Sequence, residues 1–281
     1  MLTPHDIHHG IILPAFLAAV FLFVALIPIV RRRAHIVLLI SLTIPFLLSY
    51  MHLFGSPPLP PIESTSWLFY LPIAVFPVAL IIDFTRFRLL SLPLLFLSTT
   101  LILWPILRNE HSFAASATII SLLSFASFLS YLSFTQLSPR IGGRSMHLIL
   151  LLLLAASSQI LMMSGSQTLG QTALILTAAL AGSLPLVFYL KIRLTAGPLL
   201  LILLLWHALL ICGHFTASLT PLNAILLVIS PHLAWLAEFR TRNWPNLARI
   251  SLRFAAVFIP MLIAQFLALR DFLQVTKELQ M

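Results

Sequence analysis

Long apolar runs, broken by brief polar punctuation, occupy nearly the whole chain. They fall at approximately 11–30, 34–54, 67–82, 89–107, 113–137, 146–163, 172–190, 198–216, 221–239 and 250–270. Crossing the hydrocarbon core of a bilayer takes about 20 predominantly apolar residues per α-helix, and these runs approach that length, although two are short. The pattern predicts an all-α integral membrane protein, a polytopic bundle of about ten transmembrane helices in a single domain over 1–281. The break between the eighth and ninth runs, Ala217 to Pro221, is brief enough that a re-entrant pair there would leave only eight or nine spans.

Composition agrees with the pattern. Of 281 residues 60% are hydrophobic and 8% charged, with a mean hydropathy of +1.07, far from the balance of a water-soluble domain. A single cysteine, Cys212, excludes an internal disulfide framework and reads as a small packing residue.

Charge supplies the orientation. Basic residues near helix ends stay on the cytoplasmic side, and alternate loops separate sharply. One set holds Arg31, Arg32, Arg33, Arg86, Arg88, Arg140, Arg144, Lys191, Arg193, Arg240, Arg242, Arg249 and Arg253; the other holds only Arg108, Arg270 and Lys277. A miscounted helix would scramble this alternation, so ten spans with both the N-terminus and the C-terminus outside are expected. The first apolar run lacks a preceding positive region and reads as an uncleaved helix rather than a signal peptide. A bacterial cytoplasmic membrane is the expected location. The net charge of +9 then lies mainly on the cytoplasmic rim, where it suits topology and contact with anionic lipid. No separate basic domain exists to grip nucleic acid. The lipid bilayer, and other membrane subunits, are the partners this implies.

Two pairs of stretches point to a repeat. IIDFTRFR (Ile81 to Arg88) and LAEFRTR (Leu236 to Arg242) each set an acid, a phenylalanine and basic residues at a cytoplasmic helix end. YMHLFGS (Tyr50 to Ser56) and CGHFTAS (Cys212 to Ser218) each set a histidine before phenylalanine and a small residue. They align 11–107 with 172–270 as a weak parallel repeat.

Seven prolines fall inside the runs: Pro45, Pro72, Pro77, Pro105, Pro185, Pro231 and Pro260. Each removes a backbone donor and tends to kink its helix. The fifth run carries Ser121, Ser124, Ser127, Ser130 and Ser133, one every three residues, a small-residue ridge read first as a helix-packing surface. Gln159, Asn223 and Gln265 are further polar positions.

Ionisable groups in a membrane are costly and so are the first functional candidates. The seven acids, Asp6, Glu63, Asp83, Glu110, Glu238, Asp271 and Glu278, all lie at run ends or in loops. That placement argues against an acidic ion relay, intramembrane aspartyl chemistry and prenyl transfer. Asp83 and Glu238 are expected to pair with the arginines just after them.

Histidines remain. Near the predicted outer face lie His5, His8, His9, His52, His111 and His214; His35 and His147 lie near the inner face, and His207 and His232 deeper. His5, His8 and His9 share a helical face at i, i+3, i+4, a spacing that suits a transition metal, and His52 and His214 approach the same side. This gives His5, His8, His9, His52 and His214 as a candidate metal set. His207 and His214, at i, i+7, would stack along the eighth helix and, with Gln159 and His232, mark a candidate substrate path. Facing histidines also suit haem, but His35 and His52 are not spaced like His207 and His214, as a di-haem pattern would require. HDIHH (His5 to His9) resembles one histidine box of membrane fatty-acid desaturases and hydroxylases. That family uses three boxes on the cytoplasmic face; here one string stands alone and is predicted outside, so a di-iron site does not carry over.

Metalloprotease, P-loop and hydrolase-elbow motifs are absent, and IGGR (Ile141 to Arg144) reads as a tight turn. An enzyme is the third choice. The first is a small-solute transporter or permease-like protein; the second is a non-catalytic membrane anchor subunit of a larger respiratory or pigment-binding complex, holding haem, pigment or quinone through histidines.

Overall fold

The computed structural model describes residues 3–27, 33–61, 63–85, 87–110, 112–240 and 246–278. His111, Arg31, Arg32, Arg86 and Arg242, and the side chain of Glu110, lie outside the described set. Among the described residues there are helices and connecting turns but no strands.

Ten helices are long and apolar enough to cross a membrane. They are α1 (Pro4–Leu26), α2 (Ala34–Phe54), α3 (Trp67–Thr85), α4 (Ser91–Glu110) and α5 (Phe113–Ile141). After these come α6 (Gly143–Met163), α7 (Gln167–Leu190), α8 (Ala196–Thr216), α9 (Pro221–Arg240) and α10 (Asn246–Glu278). The brief link after α8 therefore joins two full-length helices. It is tied down by bonds from the Ser218 amide to the Ser164 carbonyl (3.0 Å) and from the Leu219 amide to the Gly213 carbonyl (3.2 Å).

Helix α8 is the axis of the bundle. Every residue from Gly197 to Gly213 is buried, and α2, α3, α4, α5, α6, α7 and α9 all touch it. A helix apolar on every side belongs in such a core position. Small residues permit the closest approaches. A Cβ on Gly182 of α7 would overlap the backbone of Ala15, so α1 lies directly on α7 at that glycine. A Cβ on Gly197 would sit 2.7 Å from the Ala79 carbonyl oxygen, which marks the contact of α8 with α3.

All seven prolines expected inside runs are inside helices. The basic end of the bundle is stitched by side chains reaching backbone or hydroxyl groups of other helices. Arg88 donates to the Thr135 hydroxyl (3.2 Å), Ser138 to the Leu194 carbonyl (2.8 Å), and Arg144 to the Phe188 carbonyl (2.8 Å).

The two acids expected to pair with following arginines are used differently. Asp83 accepts from the Thr195 hydroxyl and the Gly197 amide, each at 2.8 Å, so it caps the start of α8 from α3. Glu238 pairs with Arg253 and, at 4.0 Å, with Arg249, both on α10. Arg253 is 2% exposed and also donates to the Ile141 carbonyl at the end of α5 (3.4 Å).

Candidate functional site

Two groups of histidines stand out. The N-terminal group starts inside α1 rather than before it: Thr3 caps the helix in a reciprocal box with Asp6, Pro4 occupies the first turn, and His8–Ile12 form one π-helical turn. A π turn inserts an extra residue into the helical winding, and it sets the rings in a cluster around His9. The His9 centroid lies 4.5 Å from that of His5, 4.6 Å from His8 and 5.2 Å from His52 on α2, the last pair stacked. Of the five histidines of the candidate metal set, the fold thus brings His5, His8, His9 and His52 together. His214 is not among these ring contacts. Among the described residues no group of three or more His, Cys, Asp or Glu side chains is placed to hold a metal ion.

The second group lies along α8. His207 and His214 line one cavity of about 330 Å³, within the usual range of small-ligand sites, about 300–1,000 Å³. Its walls are α8, α5 through Leu123, Ala126 and Ser127, and α9 through Ala224, Ile225 and Val228. Ile225 and Ile229 of its α9 wall are 53% and 46% exposed, so the cavity is not sealed on that side. The two imidazoles sit two turns apart on α8, about 10.5 Å along its axis.

Both rings are fixed in the same way. His207 Nδ1 lies 2.7 Å from the Leu203 carbonyl oxygen, and His214 Nδ1 lies 3.0 Å from the Leu219 carbonyl oxygen. A carbonyl only accepts, so each neutral ring carries its proton on Nδ1 and leaves Nε2 as a bare acceptor. His207 is 7% exposed, and its Nε2 is buried without a partner. An unpaired buried polar atom costs about 1–3 kcal/mol. Ser124 Oγ, one turn from Ser127 on α5, is also buried and unpartnered. Beside His207, Trp206 is fully buried and donates from Nε1 to the Ser157 hydroxyl at 2.9 Å.

The other proposed path residues stand apart from this cavity. His232 on α9 has both nitrogens engaged by α5, Nε2 with Ser130 Oγ (3.1 Å) and Nδ1 with Ser133 Oγ (3.0 Å), and Ser133 also accepts from Trp235 Nε1 (2.8 Å). Gln159 on α6 accepts from Gln265 on α10 (2.6 Å). His147 is fully buried and bonded to Ser183 on α7 (3.0 Å). The serine ridge thus has two uses: Ser130 and Ser133 join α5 to α9, whereas Ser127 faces the cavity. The sequence signalled this only as a threefold spacing, because which serine faces which neighbour depends on how α5 and α9 pack.

Ten helices of this length and apolarity are compatible with a polytopic membrane protein. Comparison of the chain with family models, curated proteins and solved structures finds no match.

Proposed function

We propose that this membrane protein, with both termini on the outer side, binds a small, largely apolar molecule bearing a hydrogen-bond donor in the cavity between α5, α8 and α9. The observation that carries the reading is that His207 lines that cavity and its buried Nε2, held as a bare acceptor, has no protein partner. The unsealed α9 side suits a ligand arriving through the lipid, and the apolar wall suits the body of that ligand. This supports holding or exchanging a lipophilic molecule, as in the membrane-subunit reading, over a permease for polar solutes. A hydroxylated aromatic such as a quinol has the required character: its ring fills apolar space and its hydroxyl donates to Nε2.

The test uses protein purified in mild detergent and a lipophilic phenol, with its O-methyl ether as control. The phenol is expected to bind, and the ether to bind roughly tenfold more weakly for loss of one hydrogen bond. H207F should abolish the difference. Equal binding of phenol and ether, or a difference that survives in H207F, would overturn the reading. An absorption spectrum and metal analysis of the same preparation test for haem, pigment or metal.

A further inference from the structure

We propose that the pocket between the start of α6 and the α7–α8 link is a binding site for a phosphate group, presented by the headgroup of an anionic phospholipid or as free phosphate. The pocket holds about 310 Å³, and Arg144, Lys191 and Arg193 line it together with Ser145 and Gly142. Its remaining walls are Ile141 and Ile192, 7% and 6% exposed. The site is separate from the histidine cavity and does not depend on it.

Three features build it. First, the link is shaped to present its cations. Lys191 ends α7 in the left-handed region (φ 55°, ψ 38°), where glycine or asparagine is usual. With Ile192 buried between them, Lys191 and Arg193 are both exposed at the pocket. Second, Arg144 is held by the last turn of α7, donating from Nη2 to the Phe188 carbonyl at 2.8 Å, with its guanidinium 5.3 Å from the Phe188 ring centroid. Third, α6 begins here without a side-chain cap. Gly142 precedes it at φ 80°, and the Met146 amide is the first to reach the Gly142 carbonyl, so the amides of Arg144 and Ser145 are first-turn donors without helical acceptors. A Cβ at Gly142 would meet nothing within 4 Å, so the space beside this residue is open.

Among the described residues no carboxylate lines this pocket. Asp83 caps α8 and Glu238 pairs with α10, leaving the three cations without an acid among the pocket walls. Several cations, a hydroxyl and free amides converging on one small volume match the multiple oxygens of phosphate better than the two of a carboxylate. Basic pockets between helices at a membrane face are where anionic headgroups bind, and the two isoleucines offer an apolar floor for the glycerol end of a lipid.

Delipidated protein in mild detergent, titrated separately with inorganic phosphate, short-chain phosphatidylglycerol and short-chain phosphatidylcholine, tests this by thermal shift and native mass spectrometry. Phosphatidylglycerol should bind at least tenfold more tightly than phosphatidylcholine. K191G and R193Q should each weaken it severalfold, whereas R270Q, a cation paired with Asp271 at the opposite end, should leave it unchanged. K191G suits the left-handed backbone, so a loss there cannot be ascribed to misfolding. If inorganic phosphate binds with the same dependence on Lys191 and Arg193, the phosphate group itself is recognised; if only the lipid does, the site is for a headgroup. Equal binding of the two lipids, binding unaffected by both substitutions, or an equal loss in R270Q would overturn the proposal.

Discussion

The carboxylate of Asp83 on α3 receives the Gly197 amide of α8 at 2.8 Å, and the Thr195 hydroxyl at the same distance. The start of the most buried helix is thereby capped by a residue more than a hundred positions earlier in the chain. Helix N-termini leave amides unsatisfied and favour negative charge, and Asp83 meets both needs. D83A should lower stability by about 2–3 kcal/mol, with D83N intermediate, measured by reversible unfolding in mixed micelles. Unchanged stability in D83A would sink the capping role.

G182A tests the contact of α1 with α7. The added methyl overlaps the Ala15 backbone, which cannot swing aside as a side chain would, so the helices must separate. Thermal stability should fall by more than in G55A: Gly55 is also a glycine under constraint, with φ 77°, but a Cβ there meets nothing within 4 Å.

Removing Glu238 leaves the buried Arg253 without its carboxylate, and removing Arg253 leaves Glu238 only the 4.0 Å contact with Arg249. Arg253's side chain is 3% exposed and Glu238's 17%, so R253M and E238Q should each cost about 3–5 kcal/mol. The double variant should recover part of that loss. A double-mutant cycle measures it, and strict additivity would show the pair to be uncoupled.

S133A removes a hydroxyl shared by His232 and Trp235. Two polar groups of α9 then lose a partner, at about 1–3 kcal/mol for each group left buried. S121A, outside these bonds, should be close to neutral. Hydrogen exchange should show the S133A effect concentrated where α5 and α9 meet.

Topology is testable because the sole cysteine, Cys212, is buried. In a C212S background, the single-cysteine variants T3C and T276C should react with a membrane-impermeant thiol reagent applied to spheroplasts. S145C should react only after lysis. Labelling of S145C from outside would invert the proposed orientation.

The sequence by itself determined the solvent and the number of helices. Crossing a bilayer requires an unbroken apolar length and internally satisfied backbone, and both are properties of contiguous residues; even the brief Ala217 to Pro221 link proved to separate two complete helices. Helix bounds were less legible. The first run was expected from 11, whereas the helix starts at Pro4, because a local cap between Thr3 and Asp6 outweighs the polarity of the histidines.

The site was legible only in part. Spacing put His207 and His214 on one face, but only tertiary structure decided that α5 and α9 leave a cavity in front of them while closing around His232. It likewise sent His52 to His9 and kept His214 on α8's own cavity. Asp83 and Glu238 look alike in sequence, each followed by arginines, yet one caps a helix and the other neutralises a buried cation. The physical reason is that a polar side chain in an apolar protein takes whichever partner packing brings within hydrogen-bond reach, and for Glu238, His147, His232 and Asp83 those partners stand 15 to 114 residues away.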